Sequence, residues 1–305
     1  MTIKLDWNGG STDIDGYYVY RSETPMDGLN PPVPIATLAK TVKTWTDVNT
    51  PRGKLYYYRV SAYKGSEVAV TFERAMTYVP YTGPGEPELV MGDWEAGYFG
   101  EIPYNDLITG SVLIASISLG LSAPNLSAPT RWFKMAHMGK IIYIPDGGLG
   151  TVPWDRVYQA GLVFGDLDPA LIPQNVKTQL TVIPQNKRIL IGEDEFIIRL
   201  PRTRKDPLST ATDNLSKGGH EWDMIFAKLF ITRTLTEFNQ AKGFRSFIPA
   251  QGSVACWTAD SSTGSGIGVI TRVLATGNNA SVDAYSASSW STNTPQYLPV
   301  LELVL

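Results

Sequence analysis

Few residues have the types and spacing for chemistry. Glu193, Asp194 and Glu195 form an acidic triplet after Ile191-Gly192, the pattern of a hairpin turn. Neighbouring carboxylates can hold a cation or share a proton, but charges on a turn also serve simply to keep it solvated, and that reading is favoured. His220-Glu221 opens like a metal-ligand pair on a helix. A zinc site of that type needs a second His four residues on, and Met224 stands there, so His220 reads as structural. Asp166 and Asp168 before Pro169 are a lone acidic pair. Cys256, beside Trp257 in a strand-like run, reads as a small buried apolar residue. As a nucleophile it would need a base, and the chain has only His137 and His220. Gly264, Gly266 and Gly268 have dinucleotide-loop spacing but lack the strand before and helix after that such a loop requires. There is no Gly-x-Ser-x-Gly elbow and no Walker loop. The expectation is no catalytic residue, no metal, no cofactor and no enzyme.

Composition narrows the class further. The 305 residues are 43% hydrophobic and 18% charged, with a formal charge of −3. Gly 28 and Pro 21 together make about one residue in six. Soluble chains typically carry about 25% charged residues, so this chain is short of charge and rich in turn formers. It is too apolar for disorder and too rich in Gly and Pro for a coiled coil. The near-neutral balance leaves no footprint for nucleic acid. One cysteine excludes an intramolecular disulfide and a multi-Cys zinc site. No apolar run reaches the ~18 residues of a membrane span, and the first residues have no signal-peptide character. The chain is expected to be made in a cytoplasm, without membrane insertion.

The elements that would position these residues are mostly strands. In the first eighty residues Ile3, Leu5 and Trp7 alternate, Tyr18 and Tyr20 share one face of 16–22, and 44–47 is a short strand. Tyr56, Tyr58, Val60 and Ala62 alternate through 55–63. Alternating aromatic and β-branched residues suit a sheet with one buried face. This segment, residues 1–80, resembles a fibronectin type III domain. The resemblance is carried by Leu5-Asp6-Trp7, Asp15-Gly16-Tyr17-Tyr18-Val19-Tyr20, Trp45-Thr46-Asp47 and Tyr56-Tyr57-Tyr58-Arg59-Val60-Ser61-Ala62-Tyr63. It implies a β-sandwich, with Tyr56 at the place of a tyrosine corner. That family has a strand before the one matched by Leu5-Asp6-Trp7, and almost no chain precedes it here. The sandwich is therefore expected to lack its first strand, leaving Ile3, Leu5 and Trp7 on an open edge that a neighbouring molecule covers.

Residues 81–88, with Pro84, Pro87, Gly83 and Gly85, read as a linker. The second part, 89–305, reads as α+β. A helix is expected from Ser111 to about Leu119, stopped by Gly120. A hairpin runs 132–136 and 140–145 across His137-Met138-Gly139. A helix follows from Pro153, stopped by Gly161, and a second spans 219–228. Strands are expected at 178–183, 195–200, 255–258, 268–274 and 299–304.

The second part resembles a domain recurrent in tailed-bacteriophage virion proteins. The matching stretches run in order from Gly92-Asp93-Trp94-Glu95-Ala96-Gly97-Tyr98-Phe99-Gly100-Glu101-Ile102 through Asp106-Leu107-Ile108-Thr109-Gly110, Trp132-Phe133-Lys134, Val152-Pro153-Trp154-Asp155 and Gly219-His220-Glu221-Trp222-Asp223 to Pro299-Val300-Leu301-Glu302-Leu303. Val152 and Trp154, Arg199-Leu200-Pro201, Glu221-Trp222, Trp257-Thr258 and Pro299-Val300-Leu301 are also similar to the C-type-lectin-like fold of formylglycine-generating enzymes and phage tropism proteins. That enzyme activity depends on cysteines, and Cys256 has no matching position. Gln296-Tyr297-Leu298 replaces the usual Gly-Phe-Arg before the last strand, and 166–183 is expanded.

The resemblances imply a mainly β chain that acts as a non-enzymatic virion structural protein on the particle exterior, at tail, collar or capsid. Its partners would be other virion proteins and further copies of itself. The alternative is a fibre protein that binds a host receptor or glycan, with Trp257 and Trp290 as contact residues beside Ile3, Leu5 and Trp7. A depolymerase would need carboxylates flanking a groove, and the sequence shows no such pair.

Overall fold

A computed structural model describes residues 2–9, 12–119, 129–166, 180–202, 221–226 and 295–305, together with the backbones of three further strands. The protein is mainly β, with few helices and antiparallel sheets.

In the first part β1 (Ile3–Asp6) pairs with β4 (Thr44–Asp47) as a two-stranded sheet. Opposite it lie β3 (Ala36–Ala39), β2 (Gly16–Ser22), β5 (Tyr56–Lys64) and β6 (Glu67–Val68), in that order, with β7 (Arg74–Met76) also on β5. Period-2 alternation sends Ile3 and Leu5 inward from one sheet and Val19, Tyr56 and Tyr58 from the other. Burying each such side chain stabilises by roughly 1.5–3 kcal/mol. Asp47 ties the two sheets together. It accepts from Arg21 Nη1 at 2.7 Å and from the Tyr58 hydroxyl at 2.8 Å. The inter-sheet hydroxyl anchor is thus Tyr58, while Tyr56 packs in the core with the Arg21 guanidinium over its ring.

In the second part β14 (Val254–Ser262), β15 (Gly268–Leu274) and β16 (Tyr285–Ser289) form a three-stranded sheet. The main sheet has seven strands. They are β8 (Met91–Gly92), β9 (Ala96–Pro103), β10 (Arg131–His137), β11 (Lys140–Pro145), β12 (Arg188–Ile191), β13 (Asp194–Arg199) and β17 (Val300–Leu303), in the spatial order β12-β13-β17-β11-β10-β9-β8. The β10–β11 hairpin closes on Met138-Gly139, whose φ values of 49° and 81° are those of a two-residue primed turn. Both faces of the sheet are covered. Trp132, Ile141, Tyr143 and Leu301 meet Trp154, Tyr158 and Leu113 on one face. Phe133, Met135, Ile142 and Val300 meet Trp222 and Ile225 on the other.

Three helical segments pack on the first face or at its edge: α1 (Tyr104–Leu107), α2 (Gly110–Ile117) and α3 (Trp154–Gln159). Thr109 caps α2 through Val112 N. That helix ends at Ser118, left-handed at φ 57°, before the Gly120 expected to stop it. Pro153 and Gly161 bound α3 as expected. The strand expected at 178–183 is not formed within its described part, because Leu180 and Ile183 pack sideways against the core instead of pairing. Gln185, just beyond, donates to Tyr158 O at 2.9 Å and accepts from Val163 N at 3.1 Å. The edge strand begins later, at Arg188. Of the helix expected at 219–228, the described portion is Glu221 followed by a π-helical turn, Trp222–Phe226.

Residues 81–88 are a clamped strap rather than a free linker. The buried Lys134 Nζ donates to Thr82 Oγ1 at 3.0 Å, Gly83 O at 3.2 Å and Glu86 O at 2.7 Å. The Tyr143 hydroxyl reaches Pro84 O at 2.9 Å, and Tyr81 donates to Asp194 at 2.9 Å. Gly83 has φ 77°, and a Cβ there would stand 2.7 Å from the Tyr143 hydroxyl. Burial lowers the Lys134 ammonium to about 8, against the pull of Glu86. The two parts also touch directly. Trp94 N donates to Ala75 O at 3.2 Å, and the Tyr57 hydroxyl donates to Glu95 at 3.1 Å.

Lys134→Met keeps the stem but strands three strap acceptors. It should cost about 1–3 kcal/mol, and hydrogen-exchange mass spectrometry should show faster exchange across 81–88. Unchanged exchange there would show that the strap is held by other contacts.

Candidate functional site

The densest chemistry in the described structure lies on the second face of the main sheet. Strand alternation points Arg199 of β13 and Glu302 of β17 to that side, and Glu221 descends from the turn above it. Arg199 Nε donates to Glu302 at 2.9 Å, while Nη1 and Nη2 donate to the two oxygens of Glu221 at 2.9 and 2.5 Å. Lys140 pairs with the other oxygen of Glu302. Arg202 N donates to Glu221 at 3.1 Å, and His137 Nδ1 lies 3.5 Å from the same carboxylate.

Arg199, Glu221 and Glu302 are all buried. Burial raises the Glu302 carboxyl, and Arg199 and Lys140 more than reverse this, holding it lowered to about 2. Glu221 is lowered in the same way: burial opposes the shift and Arg199 overrides it. Burial lowers the His137 imidazole to about 4 despite Glu221 beside it, so it is neutral at pH 7. Its Nε2 is enclosed without a partner among the described residues.

The chemical capacity of this cluster is limited. Both carboxylates are saturated by a guanidinium, so neither is poised as a base, and the cluster's role is to join strands. Among the described residues no group of three or more His, Cys, Asp and Glu side chains is arranged to hold a metal, and no helix is long and apolar enough to cross a membrane.

The acidic triplet is split by its hairpin. Asp194 accepts from Tyr81, and Glu195 pairs with Arg188 at 2.8 Å, leaving Glu193 on the turn. Asp166 also pairs with Arg188, at 2.9 Å, and Asp168 lies outside the described residues. So do His220, Trp290 and the glycines before Gly268. Trp257 and Cys256 lie on β14, with only the backbone described.

Ile3 and Leu5 lie on β1, and Trp7 directly follows it. Ile3 and Leu5 are only 4% and 7% exposed and belong to the core of their own sandwich. As contact groups these two side chains are corrected: the alternation that puts them on one face also points that face inward. What β1 offers outward is its backbone. Trp7 N donates to Lys43 O at 3.1 Å, so the odd-numbered residues bond to β4 and the N–H and C=O groups of Lys4 and Asp6 point to the other edge. Among the described residues no strand pairs with that edge. A groove of about 430 Å³ opens beside it, lined by Ile3, Lys4, Ala75, Met76, Leu89 and Trp94 among others.

The cluster was missed in sequence, although Arg199 and Glu302 each interrupt an apolar strand. A charge flanked by core residues needs buried polar partners, most often an opposite charge, and that tendency pairs these two.

No protein-family model and no curated protein matches the chain.

Two titrations follow, with opposite origins. The unfolded His137 binds its proton near 6.5 and the folded one near 4. Between these values the unfolded state holds the extra proton, so stability falls as pH drops, by up to about 1.4 kcal/mol per unit. Glu302 titrates near 4.5 unfolded and about 2 folded, extending the loss over that lower window. Urea melts across pH 7 to 3 should show both phases. His137→Phe should abolish the upper phase and keep the lower one. A variant retaining the upper phase would assign it to another group.

Proposed function

We propose that this protein is a non-enzymatic structural protein of a tailed-bacteriophage virion, placed on the particle exterior and acting by docking in multiple copies. The first part is read as a fibronectin type III-like sandwich, in which no strand among the described residues pairs with the outer edge of β1. Two sheets of two and four strands, with β7 added, agree with that reading. The second part is read as C-type-lectin-like. The closing strand β17 inside the sheet and the packing of Trp154 and Trp222 against its two faces agree with it.

The observation that carries the proposal is the clamped strap. A spacer that let two modules move freely would need no buried lysine and no tyrosine hydroxyl on its carbonyls. Lys134 and Tyr143 instead hold one module at a fixed bearing to the other. A fixed bearing is what a repeated assembly requires, since the orientation of each copy must be the same. The low charge noted in the sequence suits a chain with much of its surface in contacts.

Particles encoded by the genome that carries this sequence should contain the chain in stoichiometric copies. Immunogold labelling should mark one exterior location, and a particle reconstruction should show both modules in one fixed relation. Particles that lack the chain would overturn the proposal. Robust binding of the full chain on a glycan array would favour the receptor-binding reading instead.

A further inference from the structure

The open edge of β1 has a charge pattern that identifies its partner. Lys4 and Asp6 are the two residues whose backbone groups face outward, and their side chains, 63% and 62% exposed, lie on one face 3.0 Å apart. We infer that β1 pairs antiparallel with β1 of a second copy of this chain, about a two-fold axis at Leu5. This goes beyond the virion reading and stands without it, since it needs only two chains in solution.

The register follows from parity. In an antiparallel ladder, residues that exchange both backbone bonds lie directly opposite each other. With the axis at Leu5, Lys4 faces the partner's Asp6 and Asp6 faces the partner's Lys4. Both positions are even-numbered, so their N–H and C=O groups already point outward. Four backbone hydrogen bonds close without moving either strand. The same register sets each ammonium against a carboxylate across the interface. Directly opposed residues of this kind have Cα atoms about 5.5 Å apart, within reach of both side chains. Two opposed pairs then join the two pairs within each strand as a ring of alternating charge. A shift by one residue would put outward groups against groups already bonded to β4. A shift by two would set Lys4 opposite the partner's Lys4, or Asp6 opposite the partner's Asp6. One register satisfies both the ladder and the charges. The resulting sheet, β4-β1 continued into its symmetry mate, has four strands and no open edge at its centre.

The test uses the full chain in sedimentation velocity across the micromolar range. Wild type should be a reversible dimer. Lys4→Glu and Asp6→Lys should each weaken it about tenfold, because opposed charges become like charges. An equimolar mixture of the two variants should dimerise like wild type, since each then faces the charge it lacks. Lys4→Pro removes an outward N–H and spares every bond to β4. It should abolish the dimer, with the thermal midpoint unchanged when both proteins are compared at a concentration where wild type is dissociated. A monomer at all concentrations would overturn the inference and leave the edge to a different protein. A dimer indifferent to these substitutions, or variants that stay apart when mixed, would overturn it as well.

Discussion

Arg199 holds the second part together. One guanidinium makes three side-chain bonds to two carboxylates, and those carboxylates come from a different strand and from the turn that covers the sheet. A buried charge of this kind is costly alone, and its value lies in how many partners it orients. Once β13 and β17 are adjacent, Arg199 must find Glu302, and the remaining two donors admit one placement of Glu221. That placement sets Trp222 and Ile225 over Phe133 and Val300. The second face of the sheet is thus closed by an electrostatic demand and an apolar one that the same turn satisfies together.

The opposite face uses the same device at smaller scale. Lys134 stands one strand position from Phe133 and therefore on the other side. It ends on two carbonyls and a hydroxyl of the strap rather than on a carboxylate, so no ion pair offsets its burial directly. Three acceptors and the ring of Phe99 beneath it offset part of that cost. The first part is then fixed at two places, by its own chain through the strap and by Trp94 and Glu95 against Ala75 and Tyr57.

Local features were legible in the sequence wherever the cause was local. The β10–β11 hairpin follows from Gly139 between two apolar runs, although it closes on Met138-Gly139, with His137 paired to Lys140, rather than across all three residues 137–139. The limits of α3 follow from Pro153 and Gly161. The strands at 16–22, 44–47 and 55–63 follow from period 2. Reading failed where a residue answers to something distant. Pro and Gly at 81–88 have the composition of a flexible linker, but Gly83 and Gly85 are there because Tyr143 and Ile102 leave no room for a side chain. Residues 178–183 have the β-branched and apolar composition of a strand, yet Leu180 and Ile183 pack against core residues rather than pairing with a neighbouring backbone. Ile3 and Leu5 sit on the strand that their alternation predicts, but the pleat turns these side chains inward and leaves backbone groups of β1 to face out. The charged cluster draws on positions from 137 to 302, and no window of sequence holds two of its opposed members together.

The position of β17 has a kinetic meaning. It lies between β11 and β13, pairing Ile142 with Glu302 and Ile198 with Leu301. Until it arrives, β13 and β11 have no partner on their facing edges, and Arg199 has Glu221 but not Glu302. The seven-stranded sheet cannot be completed until the residues between β11 and β17 have been made. Closing contacts across some 160 positions is slow. In the interval two apolar edges stand exposed, the condition under which nascent chains associate wrongly. β17 is thus the one strand that joins the β12–β13 pair to the β11-β10-β9-β8 block among the described residues.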